Sequence, residues 1–260
     1  MKKFSLCIGK IRRMKICNFC RVERLAFMRY CYECGQLLDV FESDCDAIKY
    51  DLLDKYIMEI SKLYLKARDT VCSHKRILRG ESHSISSQSE DLFALLLASY
   101  LKEELLYVNQ QLSIVDESGC CVCKSKPDVL IMKDDIALNF IDLKMDLGYN
   151  RKKFADFCIQ KQEIMKIIHE QSFKTKNGKT KEVLHGVIDK KCKYHIPVIT
   201  DCNIDKKNLQ IIIDTVENLE FVEIYFLTSG KHLNNYDADM LDGVEINYLE
   251  FKRLLDNLRN

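Results

Sequence analysis

Apolar residues recur at three- and four-residue spacing from about Asp44 to Ile77. Ile48, Leu52, Leu53, Tyr56, Ile57, Ile60, Leu63 and Tyr64 fall on one helical face, which predicts one long helix or two short ones. The polar, serine-rich stretch Gly80–Ser89 reads as a linker. Ser87 to about Asn109 is strongly apolar and predicts a helix. Gln111–Val115 reads as a short strand. Asp128–Met132 and Ile136–Leu143 read as two strands joined by the turn-like Lys133-Asp134-Asp135. A helix from about Arg151 to Gln171 carries Phe154, Phe157, Cys158, Ile164, Ile167 and Ile168, and a basic loop follows. Tyr194–Thr200 is a strand whose pairing Pro197 limits. Lys206–Asn218 is a helix, Phe221–Leu227 a buried strand and Tyr248–Leu258 a last helix. The order helix, three strands, helix, strand, helix, strand predicts a mixed α/β sheet with helices on both faces.

The first part of the chain is patterned by cysteine instead. Cys17-x2-Cys20 and Cys31-x2-Cys34 are separated by ten residues, and Gly35 follows the second pair. Two residues between thiolates let one tight knuckle aim both sulfurs at one ion, and two knuckles complete a tetrahedral Zn²⁺ site. The spacing is similar to that of zinc ribbons. A ribbon this small depends on its metal to fold, and its role is either structural or DNA-contacting. The expected organisation is a four-cysteine module, zinc-ribbon-like, over 1–40, a helical linker over 41–80 and an α/β domain over 81–260. Cys120-Cys121-Val122-Cys123 repeats the two-residue spacing without a partner pair.

Composition narrows the class. The chain has 260 residues, 47% of them hydrophobic and 30% charged, which suits a folded domain and not a disordered one. No apolar run approaches the ~20 residues of a membrane helix, and Arg12-Arg13 interrupts any secretory segment. The thirteen cysteines are an odd number without a leader, which favours metal binding and inert thiols over disulfides. A soluble, cytoplasmic chain without membrane contact is expected. The net charge of +1 excludes a globally basic nucleic-acid binder but hides two basic segments. Residues 1–24 hold eight bases against Glu23, and residues 173–194 hold seven lysines against Glu182 and Asp189. Such runs are phosphate-binding candidates only beside a site.

The chemistry lies in two of the strands. Pro127-Asp128 opens the second strand, and Asp142-Leu143-Lys144 closes the third. Alternation puts Asp142 and Lys144 on one face and Leu143 on the other. A hairpin would bring Asp128 beside Asp142. Two adjacent carboxylates stay ionised only if a cation neutralises them, and hard oxygen ligands suit Mg²⁺ or Mn²⁺. Lys144 would then orient a water or stabilise developing charge. Asp189-x-Lys191, Asp205-x-Lys207 and Glu250-x-Lys252 share the short pattern, but none ends an apolar strand preceded by a Pro-Asp strand. Gly178-Lys179-Thr180 lacks the first glycine of a P-loop.

Pro127, Asp128, Asp142 and Lys144 resemble the motif of the PD-(D/E)xK nuclease superfamily, which includes many type II restriction endonucleases. The elements from Ser87 to Leu227 are similar to its αβββαβ core. The resemblance implies Mg²⁺-dependent hydrolysis of double-stranded DNA leaving a 5′-phosphate, with Asp128, Asp142 and the Leu143 carbonyl as metal ligands. It implies an assisting acid on the first core helix, for which Glu90 is the candidate; Asp91 and Glu103 are lesser substitutes. Glu90 also reads as the N3 residue of a capping box with Ser87. Asn150, Arg151, Lys152 and Lys153 open the next helix and either contact DNA phosphates or form a solvated first turn. A homodimer and a cognate DNA methyltransferase are the protein partners that the resemblance implies. The alternatives are a zinc-ribbon DNA-binding or assembly protein with an inactive nuclease-like core, and a nuclease of repair, recombination or transposition, or one acting on RNA.

Overall fold

The computed structural model describes residues 14–16, 23–25, 51–69, 76, 79–148, 153–234 and 241–259. Two short strands, β1 (Met14–Ile16) and β2 (Glu23–Leu25), pair antiparallel. They bracket Cys17 and Cys20 in sequence, but all four cysteines of the expected zinc ribbon, with Cys31 and Cys34, lie outside the described residues.

The rest is mixed α/β. Two helices, α1 (Asp51–Ala67) and α2 (Ser86–Ala98), come first. The strands β3 (Leu105–Val108), β4 (Leu112–Val115), β5 (Cys121–Ser125), β6 (Val129–Lys133) and β7 (Ile136–Ile141) follow. Then come α3 (Phe154–Ile168), β8 (Ser172–Lys176), β9 (Val183–Thr200), α4 (Lys206–Glu217), β10 (Val222–Gly230), β11 (Val244–Ile246) and α5 (Tyr248–Arg259). The central sheet runs β3-β6-β7-β9-β10-β11. The pairs β3·β6, β6·β7 and β10·β11 are antiparallel, while β9 is parallel to both β7 and β10.

Strand alternation sorts the core into two layers. Val129 and Ile131 of β6 face α1, α2 and α5, where Leu53, Tyr56, Phe93, Leu97, Phe251 and Leu254 are buried. Leu130 and Met132 face α3, with Phe154, Cys158, Met165 and Ile168, and α4, with Ile212 and Val216. Each fully buried Leu, Ile or Phe contributes about 1.5–3 kcal/mol against leaving it in water. The segment expected as a helical linker thus supplies α1 to the core, where Tyr56 meets Phe93 at a ring separation of 5.6 Å.

Three expectations change. The apolar stretch after Ser87 is not one helix. It breaks after Ala98, and Leu105–Val108 becomes β3, paired with β6. A run of Leu, Tyr and Val serves either structure, and here a strand partner decides it. The strand Gln111–Val115 exists as β4, but it pairs with β5 and β8 and not with the central hairpin. The basic loop after α3 is a hairpin: β8 pairs antiparallel with the first part of β9. The turn between β6 and β7 is as expected, with Asp134 and Asp135 at φ 49 and 64, the left-handed region that hairpin turns use and Asp tolerates. Pro197 sits inside β9, flanked by β7 and β10, and offers only its carbonyl to β7, accepting from the Lys144 N–H at 2.9 Å.

A buried polar chain crosses the sheet toward α5. Asn257 Nδ2 donates to the Tyr225 hydroxyl at 2.9 Å. Tyr225 in turn donates to His195 Nδ1, and His195 Nε2–H donates to Asn139 Oδ1, both at 2.9 Å. The acceptor role of Asn139 assigns the tautomer. Burial, with Lys193 and Arg253 nearby, pushes the His195 pKa down to about 3, so the ring is neutral. An unfolded histidine titrates near 6.5. The folded value is depressed, so this group's stability contribution is complete above 6.5 and lost as pH falls toward 3. Between pH 6.5 and 5 the loss is about 2 kcal/mol. Urea unfolding of wild type and His195→Gln is expected to show their stability difference shrinking by that amount over this interval. A constant difference would contradict the assignment.

Candidate active site

Asp142, Leu143 and Lys144 continue β7 along β9. Asp142 N–H donates to the His195 carbonyl at 2.9 Å, and Ile199 N–H donates to the Lys144 carbonyl at 2.8 Å. Alternation then places Leu143 in the layer of α1, α2 and α5, leaving Asp142 and Lys144 on the α3 side. Asp128 stands just before β6. Its carboxylate accepts the Leu143 N–H at 2.8 Å, which ties the two strand ends together. The Lys144 ammonium lies 3.5 Å from Asp142 Oδ2 and 3.8 Å from Asp128 Oδ2. The structure therefore brings Asp128, Asp142 and Lys144 together.

A second lysine, not anticipated, completes the charge cluster. Lys161 of α3 lies 3.3 Å from Asp142 Oδ2 and donates to the Tyr194 hydroxyl at 2.6 Å. The Phe157 ring centroid is 5.0 Å from the Lys161 ammonium and 5.7 Å from that of Lys144. Tyr194 lies under Lys161 at 4.4 Å, and burial with the nearby Asp142 holds its hydroxyl well above the usual range. Lys161 was legible in one respect. It interrupts the half-buried row Phe157, Lys161, Ile164 at helical spacing, where a charge needs a partner.

Glu90 is buried on α2, and its carboxylate accepts from Asn109 Nδ2. The capping box does not form: the cap residue of α2 is Ile85, without a side-chain bond. Asn109, also unanticipated, ends β3 at φ 55, a conformation Asn tolerates, and its N–H donates to the Asp128 carbonyl at 2.8 Å. One residue thus links the helix acid to the strand acid.

Burial dominates the electrostatics at Asp128. Burial raises its carboxyl most, the charges of Asp142 and Glu90 raise it further, and Lys144 and the Leu143 N–H only partly oppose them. The result is about 6. The site's donors are hard carboxylate oxygens, which fit a divalent cation. Among the described residues, no three His, Cys, Asp or Glu side chains form a metal cage. Asp128 and Asp142 are the two carboxylates that would hold such an ion.

The remaining candidates are placed plainly. Asn150, Arg151 and Lys152 lie outside the described residues, and Lys153 is exposed at the start of α3. Asp205 caps α4 through the Asn208 N–H, Asp189 accepts the Lys191 N–H, and Glu250 pairs with Arg253, so each competing motif has another role. Burial pushes the Cys158 thiol up to about 12 and Cys192 higher still, which makes both inert. No helix among the described residues is long and apolar enough to cross a membrane. Comparison with protein-family models, curated proteins and solved structures found no match.

Proposed function

We propose that the protein is a Mg²⁺-dependent endonuclease that hydrolyses DNA phosphodiester bonds, of the PD-(D/E)xK kind. The observation that carries this is the Lys144 ammonium between two carboxylates on adjacent antiparallel strand ends, 3.5 Å from Asp142 and 3.8 Å from Asp128. The succession α2, β3, β6, β7, α3, β9 supports it, being the αβββαβ order with β3 as first strand.

Asp128 and Asp142, with the Leu143 carbonyl, would hold the divalent cation, which would supply Lewis-acid neutralisation of the reacting phosphate. Glu90 adds negative charge behind Asp128 and is kept in place by Asn109. Lys144 donates hydrogen bonds to the attacking water and to the developing oxyanion. The water oxygen bonds to phosphorus as the water loses a proton to solvent, the bond to the 3′ oxygen breaks as that oxygen takes a proton from solvent, and the products are a 5′-phosphate and a 3′-hydroxyl. Cys17, Cys20, Cys31 and Cys34 would hold Zn²⁺, as their paired two-residue spacing suits. A restriction role is the reading we favour.

One observation favours a second reading. Lys144 and Lys161 together can neutralise Asp142 without a metal, as in a binding protein built on an inactive core. The test is cleavage of mixed unmethylated duplex DNA with Mg²⁺, with chelator, and by Asp142→Ala. Discrete Mg²⁺-dependent fragments that vanish in the variant are expected. Equal cleavage by Asp142→Ala defeats the nuclease reading; binding without cleavage favours the second.

A further inference from the structure

The strands β4, β5, β8 and the first part of β9 form a side sheet in the order β9-β8-β4-β5. One face is buried, with Leu112, Ile114 and Phe173 in the α3 layer. On the other face, Lys124 of β5 is opposite Ser113 of β4, Ser113 is opposite Lys174 of β8, and Lys174 is opposite His185 of β9. Directly paired residues share a face, so these four form one row across four strands. Lys176 lies one alternation further along β8. The three lysines and His185 are exposed, and among the described residues none of the three lysines is ion-paired.

This face adjoins a groove of about 620 Å³ lined by Asn109, Gln110, Gln111, Ser113, Lys174 and Lys176. Its floor is fastened to the site. Gln110 Nε2 donates to the Thr175 hydroxyl and, at 2.8 Å, to the Lys176 carbonyl. Thr175 donates to the Gln111 carbonyl at 2.6 Å. Asn109, next in the chain, holds Glu90 and the Asp128 carbonyl. The strand that carries Lys174 and Lys176 and the strand ends that carry the carboxylates are thus joined through one short, hydrogen-bonded segment.

We propose that this lysine face holds the phosphate backbone of the duplex DNA on which the site acts, an inference that rests on the nuclease reading. The charge is of the right sign and unspent. The partner is a duplex because the exposed row carries no Phe, Tyr or Trp on which unpaired bases stack, which single-strand platforms require. Lysines on a flat strand face read phosphates and not bases, so this contact positions the substrate without choosing its sequence.

The test is binding of a fluorescent mixed-sequence duplex in chelator, by the full chain, across a salt series. Lys174→Glu/Lys176→Glu and the milder Lys174→Gln/Lys176→Gln are compared with wild type and with Lys207→Gln on α4. Each lysine on a phosphate contributes about 0.9 to the slope of log affinity against log salt. Either lysine pair is expected to bind at least about tenfold more weakly and to lose about 2 from that slope, while Lys207→Gln, at an exposed position on α4, binds as wild type does. Unchanged affinity and slope in both lysine pairs would overturn the proposal, as would a wild-type preference for a single strand. The nuclease reading fails separately, if cleavage survives in Asp142→Ala.

Discussion

Asp128→Asn is expected to produce a protein that is more stable than wild type above pH 6 and unable to cleave. The two effects have one cause. Burial and the charges of Asp142 and Glu90 hold the Asp128 carboxyl at about 6, against an ordinary 3.8. A folded value above the unfolded one means that the fold prefers the protonated form. Below pH 3.8 the group is neutral in both states and costs nothing. The cost grows through the window from 3.8 to 6 and is complete above it, at about 3 kcal/mol. Asparagine removes the charge but keeps an oxygen for the Leu143 N–H. Denaturant unfolding without divalent ions should therefore show the variant's advantage absent near pH 4 and about 3 kcal/mol at pH 8. Mg²⁺ should stabilise wild type more at pH 8 than at pH 5, and leave the variant nearly unmoved. On the nuclease reading cleavage should fall by about a thousandfold, because losing a proposed metal ligand would forfeit several kcal/mol of transition-state stabilisation. An advantage that does not depend on pH would show that Asp128 is not the strained acid.

His195 opposes this trend over part of the same range. Its depressed value makes the fold lose stability as pH falls from 6.5 toward 3, whereas Asp128 makes it gain between 6 and 3.8. The contributions are of similar size and opposite sign, so wild type should be flatter between pH 4 and 6 than either variant.

The same residues mark what was legible in sequence. The β6–β7 hairpin announced itself through a Pro-Asp start, a turn of two aspartates and an Asp-x-Lys end, all local signals. Local signals also separated Asp142 from Asp189, Asp205 and Glu250. What escaped depends on long-range pairing. Lys174 and Lys176 alternate with Phe173 and Thr175, a strand pattern, but lysine-rich polarity outweighed it until β4 and β9 supplied partners. Leu105–Val108 reads as helix or strand, and only β6 decides. Asn109 and Lys161 touch their carboxylates across gaps of 19 and 19 positions, to Glu90 and Asp142, which no spacing rule encodes. Pro197 marks the site from the opposite direction. It breaks the ladder of an internal strand beside Lys144, and such local violations concentrate at functional sites.

The two lysines are expected to separate by pH profile. Lys144 is among the groups that hold Asp128 down, whereas Lys161 is not. If the acid limb of cleavage reports ionisation of Asp128, Lys144→Met should raise that limb by about one pH unit and leave it defined by burial and Asp142. Lys144 is also the more open of the two, 31% exposed against 19%, and so the one able to reach a substrate phosphate. Its loss should cost about 10²–10³-fold in rate, the scale of removing one preorganised donor. Lys161 is pinned by Tyr194 and flanked by two rings, and its charge is spent on Asp142. Lys161→Met should keep the limb in place, cost about tenfold, and lower stability by about 1–3 kcal/mol as Asp142 and the Tyr194 hydroxyl lose a partner. Rate–pH profiles of both variants, with melting temperatures, decide the matter. Near-wild-type cleavage by Lys144→Met with loss in Lys161→Met would exchange the two roles and make the helix lysine the one that meets the phosphate.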